Sequence, residues 1–446
     1  MSLARFHIRN SVSGKCCMPP LSLLTMLIAT ALQVPYVHAA DTTSGTTKEE
    51  NIVVTGADNT DTSTEDSDYN VPVTRAATKL ALTARDTPKS FSVISKQRMK
   101  DQQLDTLNDV LKNTTGISES NSGANRSNFY SRGFLIDNYQ IDGVPALVDS
   151  SWNIGDTLSD TAVYDRVEVV RGATGLMTGA GSPAASINMV HKQADSKEFV
   201  GNLSASYGSW DNQRYVADLS APLTESGNVR GRVVAGYQDG DSWLDHYHTL
   251  KKFLYGVVNA DLTDSTTVSV GYDYQETNIK GATWGGLPTY YLDGSKTHYS
   301  RSTNLAPDWA YNNSDSKKVF ASLKQKFTNG WEFNLSGSHT EATMDSKLLY
   351  IDGYFDKTTG IGVGPYEGYD LLGGTGYNSA KRKENALDAY ASGPFELFGR
   401  QHELMAGVTY IRQNDRYVSA STSFTSADVG DFNDWGNYAE PDWDDQ

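Results

Sequence analysis

Between Phe199 and Tyr410 apolar and polar residues alternate in a series of short runs. Leu203, Ala205 and Tyr207 alternate with Ser204, Ser206 and Gly208. Tyr215, Ala217 and Leu219 repeat the scheme, and so do Gly231, Val233, Ala235 and Tyr237 against Arg232 and Gly236. It returns at 254–262, 268–274, 319–327, 333–337 and 404–410. A period of two puts every apolar side chain on one side of an extended chain, so each run predicts a half-apolar strand. Short turns, Glu225-Ser226-Gly227-Asn228 and Thr328-Asn329-Gly330, alternate with long polar segments at 278–316 and 346–384, which are expected to be loops. Strands of about ten residues with aromatic ends, joined by short turns on one side and long loops on the other, predict a transmembrane antiparallel β-barrel. A water-soluble β-sandwich explains the alternation but not the asymmetric connections.

Upstream the period changes. Pro88 to Ile94 alternates as a strand, and Ser95 then precedes a helix carrying Met99 and Leu104. A second helix over Thr106 to Asn113 places Leu107, Val110 and Leu111 on one face, and Gly116 follows as a stop. Tyr130 to Phe134 and Tyr139 to Pro145 read as short strands ended by turn residues. Tyr164 to Gly172 reads as another, charged on one face and apolar on the other. These pieces predict a small α+β domain over residues 76–196, followed by the barrel strands of 197–446. Residues 40–75 are rich in Thr, Ser, Asp and Glu and hold too few apolar side chains to order themselves. One β-branched run interrupts this tether: Glu50, Asn51, Ile52, Val53, Val54, Thr55 and Gly56. Such a peptide can add itself as a strand to the sheet edge of another protein.

The first 39 residues carry basic Arg5, Arg9 and Lys15, an apolar run from Leu21 to Leu32, and small residues around Val37-His38-Ala39. That order predicts a cleaved signal peptide over 1–39 and export. Cys16 and Cys17 precede the apolar run and leave with it, so the exported chain has no thiol or disulfide chemistry. Past residue 40 no stretch approaches the ~20 apolar residues of a membrane helix. The net charge of -16 argues against a nucleic-acid surface. No Ser/His/Asp set, catalytic carboxylate pair or metal spacing stands out among the eight histidines, so no enzyme, cofactor or protein-held metal is expected.

Three ordered segments carry a resemblance: Arg132-Gly133-Phe134, Ile141-Asp142-Gly143-Val144-Pro145, and the run from Arg166 through Met177 and on from Gly179 to Val190. They resemble the plug-domain signature of TonB-dependent outer-membrane siderophore receptors. Tyr207-Gly208-Ser209-Trp210, Trp284-Gly285-Gly286-Leu287-Pro288 and Ala306 to Tyr311 are most similar to receptors for ferric coprogen and ferric rhodotorulic acid. The likeness runs from about residue 50 to about residue 412.

The resemblance implies a plug seated in a barrel of about 22 strands. About nine or ten strands fit into 197–446, so only the N-terminal part of such a barrel is expected. It further implies a monomer in the outer-membrane lipid of a Gram-negative cell, taking up a ferric hydroxamate siderophore. The peptide 50–56 is then the TonB box, which pairs with TonB as an added strand. Arg126, Trp152, Trp284 and Tyr377 are the expected siderophore contacts, and Arg132, Glu168 and Arg171 the expected plug–barrel ion pairs. Ser151 departs from the arginine expected in coprogen-type relatives. Gly172, Gly175, Gly179 and Gly181 are expected to serve tight turns, since no Gly-Lys-Ser/Thr follows to cradle a phosphate. A passive porin and a truncated, inactive receptor are the alternatives.

Overall fold

The computed structural model describes residues 69, 73–80, 82–83, 85–87, 89–121, 123, 126–147, 158–172, 182–364, 371–425, 428 and 438–443. The predicted signal peptide, the peptide 50–56, Ser151, Trp152, Gly175, Gly179 and Gly181 lie outside these residues.

The α+β domain begins with a short pair, β1 (Val73–Thr74) and β2 (Leu82–Thr83). Then come β3 (Ser90–Ser95), helices α1 (Lys96–Asp101) and α2 (Leu107–Lys112), and β4 (Ser118–Asn121). They are followed by β5 (Ser127–Ser131), β6 (Phe134–Leu135), β7 (Asn138–Ile141), β8 (Val144–Leu147), β9 (Tyr164–Arg171) and β10 (Ala185–His191). Its main sheet has the order β3-β9-β10-β7-β8, with β10 parallel to β7 and the other pairs antiparallel.

Helix α2 starts where the sequence predicts. The Thr106 side chain accepts from Asp109 N, and the Asp109 carboxylate accepts from Thr106 N, so two otherwise orphaned amides are satisfied. Its apolar face, Leu107, Val110 and Leu111, is buried with Val163, Val167, Val169 and Ile187. Helix α1 is shorter than expected. Gln103 adopts φ 52, a left-handed conformation that ends the helix, and Leu104 is buried just beyond it.

The large sheet is an antiparallel meander of nine strands. It comprises β11 (Val200–Tyr207), β12 (Gln213–Pro222), β13 (Val229–Asp241), β14 (His248–Thr263) and β15 (Thr266–Lys280). It continues through β16 (Tyr311–Lys326) and β17 (Glu332–Ile351) to β20 (Leu371–Leu397) and β21 (Arg400–Thr425). Between β17 and β20 lies a small hairpin, β18 (Tyr354–Phe355) and β19 (Gly362–Val363).

Its strands outrun the expected ones. Most of 346–384, expected as loop, is strand, since β17 reaches Ile351 and β20 starts at Leu371, whereas 278–316 is strand only at its two ends, where β15 reaches Lys280 and β16 starts at Tyr311. Beyond the lipid both faces of a strand meet water, so apolar alternation stops while the hydrogen-bonded ladder continues.

The two faces of the sheet are opposite in character. Leu203, Val233, Val258, Val270, Val319, Leu335, Leu387 and Val408 point outward and are exposed. Lys251, Asp273, Lys318, Arg382, Glu384 and Asp388 point inward and are buried. The α+β domain lies on this inward face, where Val234, Phe253, Tyr255, Val257 and Phe320 join its own core.

Candidate functional site

At the end of the sheet that carries the long connections, the segment after β15 folds over the α+β domain. Asn304 ties it down by donating to Gly281 O at 2.9 Å and to Asp245 O at 2.8 Å. Trp284 is held by its own amide, which donates to Leu349 O at 3.0 Å, and by an edge contact to Tyr350 at 5.5 Å. Its ring covers Gly376 of β20 so closely that a Cβ there would stand 2.5 Å from it. Only glycine leaves that room.

The α+β domain meets this lid through Arg126. Its Nη2 donates to Trp284 O at 2.7 Å, and the guanidinium stands 5.7 Å from the Trp284 ring centre. Burial pushes Arg126 down to about 10. Nearby, Gly123 comes so close to the lid that a Cβ would lie 2.7 Å from Thr283 O. Leu158, Tyr247, Ile279 and Leu348 complete an apolar patch beside Trp284. A cation, an indole face and an apolar wall therefore converge at the outer end of the domain.

Below this mouth the two parts are joined by charge. His191, at the end of β10, is fully buried and stacks on Tyr255 at 5.0 Å and on Phe320 at 5.3 Å. Its Nδ1 lies 2.6 Å from Asp142 and its Nε2 3.3 Å from Asp273 on β15. Burial alone lowers an imidazole, but the Asp142 carboxylate, aided by Asp273, outweighs it and raises His191 to about 9. The ring is thus a cation at neutral pH, held between the domain and the wall. Beside it a polar cavity of about 400 Å³ is lined by Asp142, Glu168, Arg230, Lys318 and Asp388 among others.

Comparison with known proteins identifies the smaller domain. Residues 83–186 match the family model described as TonB-dependent Receptor Plug Domain. This domain is a TonB-dependent receptor plug. The chain is 40% identical over 392 residues to the ferripyoverdine receptor of Pseudomonas aeruginosa, covering 86% of this chain and 46% of that protein. It is 25% identical over 407 residues to the ferrioxamine B receptor of Salmonella typhimurium, covering 86% and 52%. The crystal structure of the Pseudomonas aeruginosa receptor bound to ferripyoverdine matches with a TM-score of 0.78 at 38% identity, over 86% of this chain and 50% of that one. The chain spans about half the length of the curated relatives it matches. Plug and sheet together have the fold of outer-membrane siderophore receptors, with the apolar side of the sheet toward lipid.

Not every expected site residue stands where it was expected. Arg126 and Trp284 touch each other at the mouth of the plug. Tyr377 does not join them. Its neighbour Gly376 points inward under Trp284, so Tyr377 points outward, where its hydroxyl donates to Asp345 at 3.1 Å.

Arg132, Glu168 and Arg171 form no plug–barrel ion pair among the described residues. Glu168 accepts from Arg166 at 2.9 Å, Asn188 at 2.7 Å and Thr74 at 3.0 Å, all within the plug. Arg171 donates to Ser92 Oγ at 2.7 Å and to Thr115 O. Strand β9 lies between β3 and β10, so its charges are enclosed by the plug's own sheet. Arg132 is exposed, on the turn after β5.

Other residues join plug to wall: Arg75 with Glu332 at 2.9 Å, Lys79 with Asp388, Asp160 with Arg214 at 2.6 Å and Lys192 with Asp218 at 2.8 Å. The sequence does hold a signal for them, namely charged residues at the inward positions of otherwise apolar alternating strands, such as Arg214, Asp218, Asp273 and Asp388.

Proposed function

We propose that the chain supplies the plug and part of the barrel wall of a TonB-dependent ferric-siderophore receptor and transporter. The observation that carries this reading is the plug itself, keyed by ion pairs into the polar inward face of a sheet whose other face is apolar. The ferric siderophore binds at the mouth, where the Arg126 guanidinium and the Trp284 face offer a charged donor and a flat apolar surface. Trp152, which lies outside the described residues, is proposed as a further siderophore contact. Iron travels inside the siderophore, and no protein side chain ligates it. TonB captures residues 50–56 as an added strand and draws the plug from the wall.

Among ligands, ferripyoverdine comes first, because the relatives at 37–40% identity are receptors named for it. A hydroxamate of the coprogen or rhodotorulic acid type comes second, supported by the segments around Trp284 and Ala306 and by the ferrioxamine B receptor match.

The test is iron uptake by a receptor-deficient strain expressing the intact receptor that carries this chain, fed ferripyoverdine or ferric coprogen. Replacing a buried charged donor costs about 1.5–3 kcal/mol. Arg126→Ala is therefore expected to weaken siderophore binding about ten- to hundredfold. Undiminished binding by Arg126→Ala and Trp284→Ala together would refute the site. Uptake that persists without residues 50–56 would refute the TonB coupling.

A further inference from the structure

Strand β14 brings a second polar space to the outer end of the plug. Lys251 is the fourth residue of that strand, at an inward position, in register with Gln238 of β13 on one side and Thr277 of β15 on the other. The residue is only 8% exposed. With Asn108 of α2, Leu158, Tyr247 and Ile279 it lines a cavity of about 270 Å³.

The Lys251 ammonium makes no hydrogen bond and no ion pair among the described residues. Asp105, Asp109 and Asp160 stand around it, yet each is engaged elsewhere. Asp160 and Asp105 hold Arg214, at 2.6 Å and 3.4 Å, and Asp109 accepts from Thr106 N at 3.0 Å. Gln238 is used as well: its oxygen accepts from Arg214 at 3.3 Å and its nitrogen donates to Asn212 at 3.2 Å. On the plug side of the cavity Asn108 is 7% exposed, and its Oδ1 accepts no hydrogen bond among the described residues.

A charge taken out of bulk water without a partner is costly, and so is a bare amide oxygen. A donor and an acceptor left over in one cavity define a complementary guest. It brings an acceptor, best an anion, to Lys251 and an N–H or O–H to Asn108. A carboxylate with a hydroxyl or an amide beside it carries both. The cavity also adjoins the mouth, since Leu158, Tyr247 and Ile279 belong to the apolar patch beside Trp284.

We infer that this cavity receives a carboxylate-bearing arm of the siderophore, with Lys251 donating to the carboxylate and Asn108 accepting from the group beside it. The inference rests on the receptor reading above and adds a requirement to it. The ligand bears a free acid apart from its iron-binding groups, and Lys251 selects for that acid.

The experiment is a lysine footprint of the intact receptor in mild detergent. Amines are reductively methylated and counted by mass spectrometry, without ligand, with saturating ferripyoverdine, and with ferripyoverdine whose free carboxylates have been converted to primary amides. Lys251 is expected to react in the free receptor and to be protected at least tenfold by the acid form alone. Lys252, the next residue on the opposite face, is expected to react throughout. A Lys251 that never reacts, or that the acid form leaves unprotected, overturns the proposal. Protection by succinate alone at the same concentration assigns the cavity to a free acid and overturns the arm. A receptor that binds neither form overturns the ligand assignment and this inference together, whereas one that binds both equally overturns this inference alone.

Lys251→Met keeps the stem and removes the charge. It is expected to weaken binding of the acid form about tenfold or more, to leave the amidated form unaffected, and to raise the Tm of the free receptor, because a partnerless charge leaves the lumen. A lysine with a merely structural task gives the reverse, a lower Tm with unchanged affinity, and that result overturns the proposal. The footprint needs no variant and decides alone should Lys251→Met fail to insert.

Discussion

The plug and the sheet are built from the same alternation of apolar and polar residues, and they use it in opposite senses. In the plug Val110, Leu111, Val163 and Val167 are sealed from solvent. In the sheet the apolar side chains, among them Val270 at 52% exposure, stand on the outside and the charged ones are covered. The difference teaches that burial follows the surrounding medium rather than the residue. A plug in water must hide its apolar surface within itself, whereas a sheet in lipid finds apolar surroundings outside and keeps charge for the partner in its lumen.

The contrast can be tested at three depths. The largest effect is expected in the plug core, where Leu111→Ala should cost about 2–5 kcal/mol. Chemical denaturation of the receptor, followed by a reporter in the plug, measures it. A silent substitution would mean that the plug has no core of its own.

Next comes the lipid face. Val270→Arg should cost about 2–4 kcal/mol if that position lies at mid-membrane. It shows as a loss of the heat-modifiable, inserted form on a gel, and Val270→Ala should show little change. Equal tolerance of both would place the apolar face in water.

The smallest effect is expected where the two regions meet. His191→Gln removes a cation shared by Asp142 and Asp273, with Lys318, Tyr164 and Tyr255 also facing it, and should cost about 1.5–3 kcal/mol at neutral pH. The folded value of about 9 lies above that of free histidine. The contribution is therefore complete below about pH 6.5 and is lost as pH rises through the folded value. Thermal unfolding of wild type and variant between pH 6 and 10 should show the gap closing. A gap that is constant with pH would remove the ionic clamp from the account.

Much of this was legible in the residues. The alternation at Leu203, Tyr215, Val233 and Val270 located the strands, and Thr106 with Asp109 located the start of α2. The errors have one origin. Reading 346–384 as loop concealed the alternation that sends Gly376 inward and Tyr377 outward, so Tyr377 was placed in a pocket it faces away from. Strand continues there because hydrogen bonding between neighbours does not depend on an apolar face, whereas pattern recognition does. Glu168 and Arg171 were misassigned for a related reason. A charged strand shows that partners exist, but which side of the molecule supplies them depends on sheet order, and β9 is an inner strand. Arg126 and Trp284, expected near the external mouth as a polar donor and an aromatic face, stand side by side there, half-buried against each other.

The rings beside His191 have a consequence for movement. Phe320 lies flat over Gly271, where any Cβ would come within 2.2 Å, and Phe253 does the same over Gly236. Side chains that lie down leave the wall smooth where the plug rests. If the plug moves as the proposed function requires, it must part from these rings and from the charge contacts of Arg75, Lys79, Asp160 and Lys192, and water can replace only the charge contacts.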